Sequence, residues 1–459
     1  MNILVFNGSP KGNDLSITNL HVEFLKQRFR EHDFTTIPIS RQIKKMERDD
    51  ASFQSVVAKM KQAQLIIWAF PIYLYQIPGQ LKRFIEMLYE RLPKKALYNT
   101  YTTSISTSAL IFDSPAHDYV HAVSEDFGMI YLPGFSFDSI INRELLQPEV
   151  QRGYIQGFEN IIRMIEKGVL PAIRYQKLSW FEHDFTPSEP PETLPKKRDK
   201  KIIIVTDSAP GSNLDKMIKL FRARTAYGSE VINLNDINMK SGCTGCLQCQ
   251  YQPRCVIKDD INELYINRIL VADCVVLALK ITDHHISARF KMFLDRGIFA
   301  VQKPKNSTRY ITYIVSGPLR QRHIVREFLD IYASARFLGN LGYVSDEYTS
   351  DIYLTNLIDN QAQDVDYHLR QDIFRTSNFF ARAYHMMMRE MLTVQTSVKR
   401  EAYLHYHKER LFDFPHLTPR HMLTGLANNI VFNLPIIGKH ARRNVLQLYR
   451  SHFIKVLKS

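Results

Sequence analysis

The chain is poor in cysteine, with five in 459 residues, too few for the disulfide framework of a secreted scaffold. Four of the five crowd into the thirteen residues from Cys243 to Cys255, which reads as metal or redox chemistry in a reducing compartment. No run of eighteen apolar residues occurs, so no segment has the length and composition of a membrane-spanning helix. A basic-then-apolar leader is also missing, since Met1-Asn2 runs directly into Ile3-Leu4-Val5-Phe6; a cytoplasmic protein is the expectation. Acidic side chains are absent after Asp413.

What is present is a globular composition, 45% apolar and 23% charged, which excludes wholesale disorder and a fibrous fold. At 459 residues the chain is two to three times the usual domain size, so more than one core is expected. The formal net charge is +14, which attracts anions such as phosphates, acidic cofactors, lipid headgroups or nucleic acid. The excess is uneven. Residues 366–459 hold 15 Lys/Arg against 6 Asp/Glu, so this stretch carries +9 of the +14.

The chain repeats itself. Ile3-Leu4-Val5-Phe6 leads into Asn7-Gly8-Ser9-Pro10 and a helical stripe of Ile17, Leu20, Phe24 and Leu25; Ile202-Ile203-Ile204-Val205 leads into Asp207-Ser208-Ala209-Pro210 and a stripe of Leu214, Met217, Ile218 and Phe221. Arg48-Asp49-Asp50 matches Lys258-Asp259-Asp260, and the apolar run 64–69 matches 273–278. Gln80–Ile85 matches Arg289–Leu294, and the spacing from Asp49 to Lys82 is 33 against 32 from Asp259 to Lys291. A fourth apolar strand is expected in each copy, at Tyr101–Ile111 and Tyr310–Val315. Uniformly apolar strands alternating with helical stripes predict an α/β fold, a doubly wound parallel sheet in each copy. The expected organisation is a first domain over 1–182, a Pro-rich basic linker over 183–201, a second domain over 202–355 and a helical basic C-terminal region over 356–459.

In the first copy the strand is followed by Gly8-Ser9-Pro10-Lys11-Gly12-Asn13, with Ser16 and Thr18 at the start of the next helix. Free backbone N–H groups and the helix dipole make such a turn an anion site, although an ordinary βα turn capped by Ser16 has the same appearance. A second buried strand ends in Pro71-Ile72-Tyr73-Leu74-Tyr75-Gln76-Ile77-Pro78 before a helix with Leu81, Phe84, Ile85 and Leu88 inward. Ligands of open α/β sheets bind beside such a phosphate loop, at the carboxyl ends of the strands, and a rigid aromatic loop there can hold a flat heterocycle.

These residues resemble the flavodoxin-like NAD(P)H-dependent FMN reductases, and especially the branch containing the iron–sulfur flavoproteins. The family's Gly-Ser-Pro-Arg loop is met by Gly8-Ser9-Pro10-Lys11, with Lys in place of Arg; its Pro-x-Tyr loop and Gln-Leu-Lys helix are met by Pro71-Ile72-Tyr73 and Gln80-Leu81-Lys82. A third family loop looks like Ser104–Ser108, with Asp113 and His117 following. The resemblance covers roughly 1–165 and 200–350 and, more weakly, the tail to Pro415. It implies two tandem flavodoxin-like sheets with a helical extension. It also implies bound FMN, reduced by hydride from NAD(P)H and reoxidised by a small-molecule or protein electron acceptor. Gly8, Ser9, Pro10, Lys11, Ser16 and Thr18 would bind the cofactor, its phosphate held by Ser9, Ser16, Thr18 and nearby backbone N–H groups. Pro71, Ile72, Tyr73, Leu74 and Tyr75, with Ser106, Thr107 and Ser108, would hold the ring. Hydride transfer requires no general acid or base, so no catalytic dyad is nominated.

The second copy has lost these features: Lys280 and Thr282 stand where the first has Pro71 and Tyr73, followed by Asp283-His284-His285. An intact second FMN site is not expected. In its place is the C-x2-C-x2-C-x5-C run of Cys243, Cys246, Cys249 and Cys255. Successive x2 spacings suit a ferredoxin-type loop around a 4Fe–4S cluster, and the run is similar to the compact motif of iron–sulfur flavoproteins. Zinc and free thiols or a redox disulfide stay open. Cys274, inside an apolar run, reads as a core residue, and His284-His285 as loop residues pointing to opposite sides. The two copies then form a covalent pseudo-dimer passing electrons from FMN toward a cluster. A flavin, quinone or nitro-compound reductase without a cluster is the alternative within enzymes; a redox-responsive electron-transfer or binding protein is the alternative outside them. In the tail, the Met and aromatic residues of 374–414 are expected to pack on the core, and 421–459 to carry an amphipathic basic helix. That helix either packs with a solvated basic face or meets anionic lipid; no nucleic-acid motif is present.

Overall fold

The structure, a computed structural model, describes residues 1–93, 95–109, 112–139, 143–175, 183–188, 196–250, 254–302, 309–347, 350–373, 379–394, 400–408 and isolated positions beyond. The first sheet contains β1 (Asn2–Asn7), β2 (Asp33–Ile37), β3 (Leu65–Pro71), β4 (Tyr101–Ser108), β5 (Ile130–Tyr131) and β6 (Phe135–Asp138), in the order β2-β1-β3-β4-β5 with β6 also on β4. The second contains β7 (Lys197–Thr206), β8 (Tyr227–Asn233), β9 (Cys274–Lys280), β10 (Tyr310–Ser316) and β11 (Gly339–Ser345), in the order β8-β7-β9-β10-β11. Counted from the start of each copy, both are 2-1-3-4-5, the flavodoxin order, and every strand pair is parallel. The central strands are apolar because both faces are covered: Leu65 through Phe70 and Cys274 through Leu279 are all buried. Strand β7 starts at Lys197, within the basic run, and β4 stops at Ser108.

Each sheet separates two apolar clusters. The halves meet through the matched helices Gly79–Arg91 and Ala288–Arg296. Their contact is reciprocal. Glu86 of the first helix accepts from the backbone N–H of Ala288 at 2.6 Å, and Asp295 of the second accepts from that of Gly79 at 2.9 Å. Each carboxylate therefore meets the positive end of the other helix. The backbones approach so closely that a Cβ on Gly79 would stand 2.8 Å from the Met292 nitrogen. Matched lysines are buried in the same seam: Lys82 pairs with Asp283 at 2.8 Å and Glu86 at 3.2 Å, while Lys291 pairs with Asp295 and donates to the Tyr73 carbonyl at 2.8 Å. Removing one member of such a buried pair costs about 3–5 kcal/mol, so the seam fixes the relative placement of the halves.

The His284-His285 pair belongs to the seam and not to a solvated loop. His284 bonds Asp126 at 2.7 Å, and the His285 ring packs edge-on against Tyr119 and Phe328. After β11 the chain is helical, with Asp351–Gln371, Phe379–Val394 and Arg400–Lys408. Of the patch 430–437 and the final helix most residues lie outside those described, but Phe453 is buried against the first half, 5.9 Å from the His21 ring. Among the described residues no helix is long and apolar enough to cross a membrane.

Candidate functional site

The turn after β1 is held by its own polar groups. Asn7 Oδ1 accepts from Ser9 N at 3.0 Å, and Gly8 N donates to Ala69 O on the neighbouring strand at 2.7 Å. Ser16 caps the helix Ile17–Arg28, accepting from Asn19 N at 3.1 Å. Thr18 Oγ1 and Thr107 Oγ1, 2.5 Å apart, join that helix to the end of β4. Ser9, Ser16, Thr18, Thr107, Ser108 and Ser139 thus bring hydroxyls to one cavity at the carboxyl end of the first sheet.

After β3 the chain turns back within four residues. Tyr73 N donates to Gln76 O at 2.8 Å and Gln76 N to Tyr73 O at 3.2 Å, with Leu74 at φ 42° and Tyr75 at φ 64°. Two consecutive left-handed residues are the geometry of a type I′ turn, normally Asn-Gly. For Leu and Tyr each costs about 1–2 kcal/mol, a strain of the kind that surrounding structure must impose. Here the imposing groups come from the second half. Leu74 and Tyr75 pack into its core, and Lys291 holds the Tyr73 carbonyl. The Tyr75 ring meets Phe112 and Tyr384 edge-on, each at 5.8 Å. Among the described residues the buried Tyr73 hydroxyl has no hydrogen-bond partner. Burial, then the Cys243 thiol and Asp295, push its pKa well above the usual phenol value, so it keeps its proton.

The cavity, about 270 Å³, is closed by the second half and the tail. Eleven of the fourteen residues expected from sequence line it: Ser9, Lys11, Ser16 and Thr18 from the first loop, Pro71, Ile72, Tyr73, Leu74 and Tyr75 from the second, Thr107 and Ser108 from the third. Gly8, Pro10 and Ser106 do not; Ser106 turns away to donate to Asp113 at 2.8 Å. Cys243, Cys246, Cys249 and Cys255 line the same cavity, and Gln80 Nε2 donates to Cys243 O at 3.0 Å. At the base of their loop Arg296 forms a buried pair with Asp259 at 2.7 Å and donates to Ser241 O at 2.9 Å. Gly245, at φ +64°, lies so near the first half that a Cβ there would overlap Tyr73 Oη and stand 2.9 Å from Lys11 Cε. Burial pushes Lys11 down to about 8, opposed by its proximity to Cys243 and Cys246; burial also pushes the Cys243 thiol up.

The wall that sequence reasoning missed comes from the helix Phe379–Val394. Tyr384, Met388 and Met391 line the cavity. Their i, i+4, i+7 spacing marks one helical face, but nothing local says that the face covers a cavity as well as a core.

Clustered hydroxyls at a helix start, an aromatic apolar slot and an unspent buried Tyr73 donor suit a phosphorylated flat heterocycle such as FMN. The thiols do not suit a cluster or zinc as placed: among the described residues no three His, Cys, Asp or Glu groups are arranged to share a metal ion. In the second half the equivalent anion site is filled by protein. Asp346 accepts from Ser316 Oγ and Gly317 N at 2.7 Å each and from Asn213 Nδ2 at 3.3 Å, and Phe185 N covers Asn213 Oδ1 at 2.9 Å.

Residues 1–139 match the family described as NADPH-dependent FMN reductase. Comparison with curated proteins returns no match. Among solved structures the chain is similar to an FMN-dependent NADH-azoreductase from Bacillus anthracis with bound FMN (15% identity, 36% of this chain and 100% of the other, TM-score 0.26). It is also similar to an NADPH-quinone reductase from P. pentosaceus (16%, 35% and 95%, TM-score 0.26) and to an apo NADH:FMN oxidoreductase (20%, 35% and 87%, TM-score 0.29). The functional reading rests on the family match and not on these likenesses. That match bears out the resemblance of the first half to FMN reductases and, with it, an NAD(P)H-dependent flavin oxidoreductase; it does not reach the tandem form or the iron–sulfur branch.

Proposed function

We propose that the chain binds FMN in the first half, takes hydride from NAD(P)H and delivers the electrons to an acceptor. The observation that carries this reading is the meeting of three loops, Ser9–Thr18, Pro71–Tyr75 and Thr107–Ser108, in one cavity within the segment that matches the FMN reductase family. Bound FMN would supply the redox chemistry at its isoalloxazine. The chain binds, orients and excludes water. Ser9, Ser16 and Thr18, with the N–H groups at the start of Ile17–Arg28, hold the phosphate. The strained Tyr73–Gln76 turn, fixed by Lys291, forms a rigid wall for the ring, and Tyr73 Oη offers it a proton in a hydrogen bond. Tyr384, Met388 and Met391 shield the ring from water on the tail side. The cysteines receive no step: their spacing is similar to a cluster loop, but their placement does not assemble the ligands. The test is NAD(P)H oxidation by FMN-supplemented protein with added quinone. Protein that binds FMN yet oxidises neither nucleotide would overturn the reading.

A further inference from the structure

A second cavity, about 830 Å³, lies between the halves beside the first, and Lys11, Thr244 and Cys246 line both, so the two spaces meet. Of the five cysteines only Cys246 lines this wider cleft. The others are held back from it. Cys243 Sγ accepts from Gly245 N at 3.4 Å, and burial pushes its thiol up. Cys249 and Cys255 pack on the core of the second half, and Asn262 clamps both backbone groups of Cys255, at 2.7 Å and 2.8 Å. Cys274 is buried in β9. Cys246 is therefore the thiol that a reagent in the cleft meets.

The rest of the lining selects the reagent. Lys11, Arg41, Lys44 and Lys240 pair with no carboxylate among the described residues. Of the carboxylates in the wall, Glu47 pairs with Arg83 at 2.9 Å, and Glu86 with Lys82 at 3.2 Å and Arg83 at 3.3 Å. Asp207 meets only the neutral Ser287 hydroxyl and keeps its charge, one against four unpaired cations. The cleft thus attracts anions. Gln80 sets a second requirement. Its side chain is buried in the same wall, and among the described residues its Oε1 has no hydrogen-bond partner; a ligand N–H would satisfy it.

We propose that Cys246 is a site of mixed-disulfide formation with an anionic peptide disulfide that enters through this cleft. The Cys246 sulfur attacks one sulfur of the incoming disulfide. A new S–S bond forms at Cys246, the old one breaks, and the thiol proton leaves with the departing peptide thiol. Cys246 is oxidised and half of the reagent is reduced, so the exchange needs no further oxidant. Carboxylates of the peptide meet Lys11, Arg41, Lys44 and Lys240, and a peptide N–H meets Gln80 Oε1. This chemistry goes beyond the proposed function and does not depend on bound FMN.

The test is reaction of the reduced full chain with glutathione disulfide, with the cationic disulfide cystamine for comparison, followed by peptide mass spectrometry. The expected result is one glutathione per chain, on Cys246, reversed by dithiothreitol and formed at least about tenfold faster than the cystamine adduct at low salt. That advantage should shrink at high salt, since Arg41, Lys44 and Lys240 are exposed to solvent, and in Arg41→Glu combined with Lys240→Glu. Cys246→Ser should lose the adduct, while mapping on the wild-type chain gives the same answer without any variant. No adduct, adducts spread over the other cysteines, or no advantage for the anionic disulfide overturns the proposal. A parallel FMN titration separates the two readings: FMN binding without an adduct sinks only the Cys246 site, whereas an adduct on protein that does not bind FMN sinks only the proposed function.

Discussion

Gly245→Ala tests whether the second half shapes the cofactor cavity of the first. Gly245 adopts φ +64°, where an L-residue costs about 1–2 kcal/mol. The added methyl would also overlap Tyr73 Oη and press Lys11 Cε at 2.9 Å, and overpacking of this kind costs about 1–3 kcal/mol. Neither side can retreat easily. Tyr73 is held by its turn and by Lys291, and the cysteine loop by Gln80 on Cys243 O and Arg296 on Ser241 O. The sum is about 2–5 kcal/mol. Displacement of Tyr73 should weaken FMN binding by at least about tenfold, equivalent to 1.4 kcal/mol of that sum. The assay is quenching of FMN fluorescence on titration with apoprotein, alongside urea unfolding. An alanine variant with wild-type FMN affinity and wild-type unfolding would refute the contact between the cysteine loop and the Tyr73 turn.

Asp283→Asn should leave buried Lys82 with Glu86 as its remaining carboxylate and destabilise by up to about 3–5 kcal/mol; Lys82→Met combined with Asp283→Leu should recover much of this in urea unfolding, and equal losses in both would contradict the account. Ser16→Ala removes the cap of the helix Ile17–Arg28, worth about 1 kcal/mol, together with a cavity hydroxyl, so FMN affinity should fall while the fold persists by circular dichroism. Burial pushes His21 down to about 4 from its ordinary 6.5. Its neutral form is favoured in the folded state, so stability is fully present above pH 6.5 and is lost as pH falls toward 4. The loss is about 3 kcal/mol, at 1.36 kcal/mol per pH unit. His21→Phe should flatten that segment of the pH–stability profile, and an unchanged profile would rule His21 out.

Much of the fold was legible because a duplication prints its periodicity twice. The apolar runs 65–70 and 274–279 are buried on both faces, so their composition alone named them as central parallel strands. The loops that line the cavity were legible for a related reason: Ser9, Pro71 and Tyr73 follow buried strands and Ser16 caps a helix, although the backbone of the Tyr73 turn is imposed by the second half. The remainder depends on contacts distant in sequence. Ser106 faces Asp113 and not the cavity, a choice made by the helix that follows β4. Tyr384, Met388 and Met391 reach the cavity only because the tail folds back over Tyr75. His284 and His285 read as loop residues because the burying partners, Asp126, Tyr119 and Phe328, belong to other elements. The cysteine spacing suggested a ligand set, yet backbone placement decides which thiols converge, and spacing alone does not specify it.

The net positive charge divides in two. Its larger share belongs to the tail, while Lys11, Arg41, Lys44 and Lys240, which pair with no carboxylate among the described residues, line a cleft between the halves.

On the proposed function, two copies of one unit have diverged so that one holds the flavin and the other walls its site. Equilibrium titration of apoprotein with FMN, monitored by fluorescence, tests it most directly. The account predicts saturation at one FMN per chain, abolished or strongly weakened by changes at Ser16 and Tyr73 and untouched by Asp346→Asn in the filled site. Saturation at two FMN per chain, or no binding at all, would contradict it.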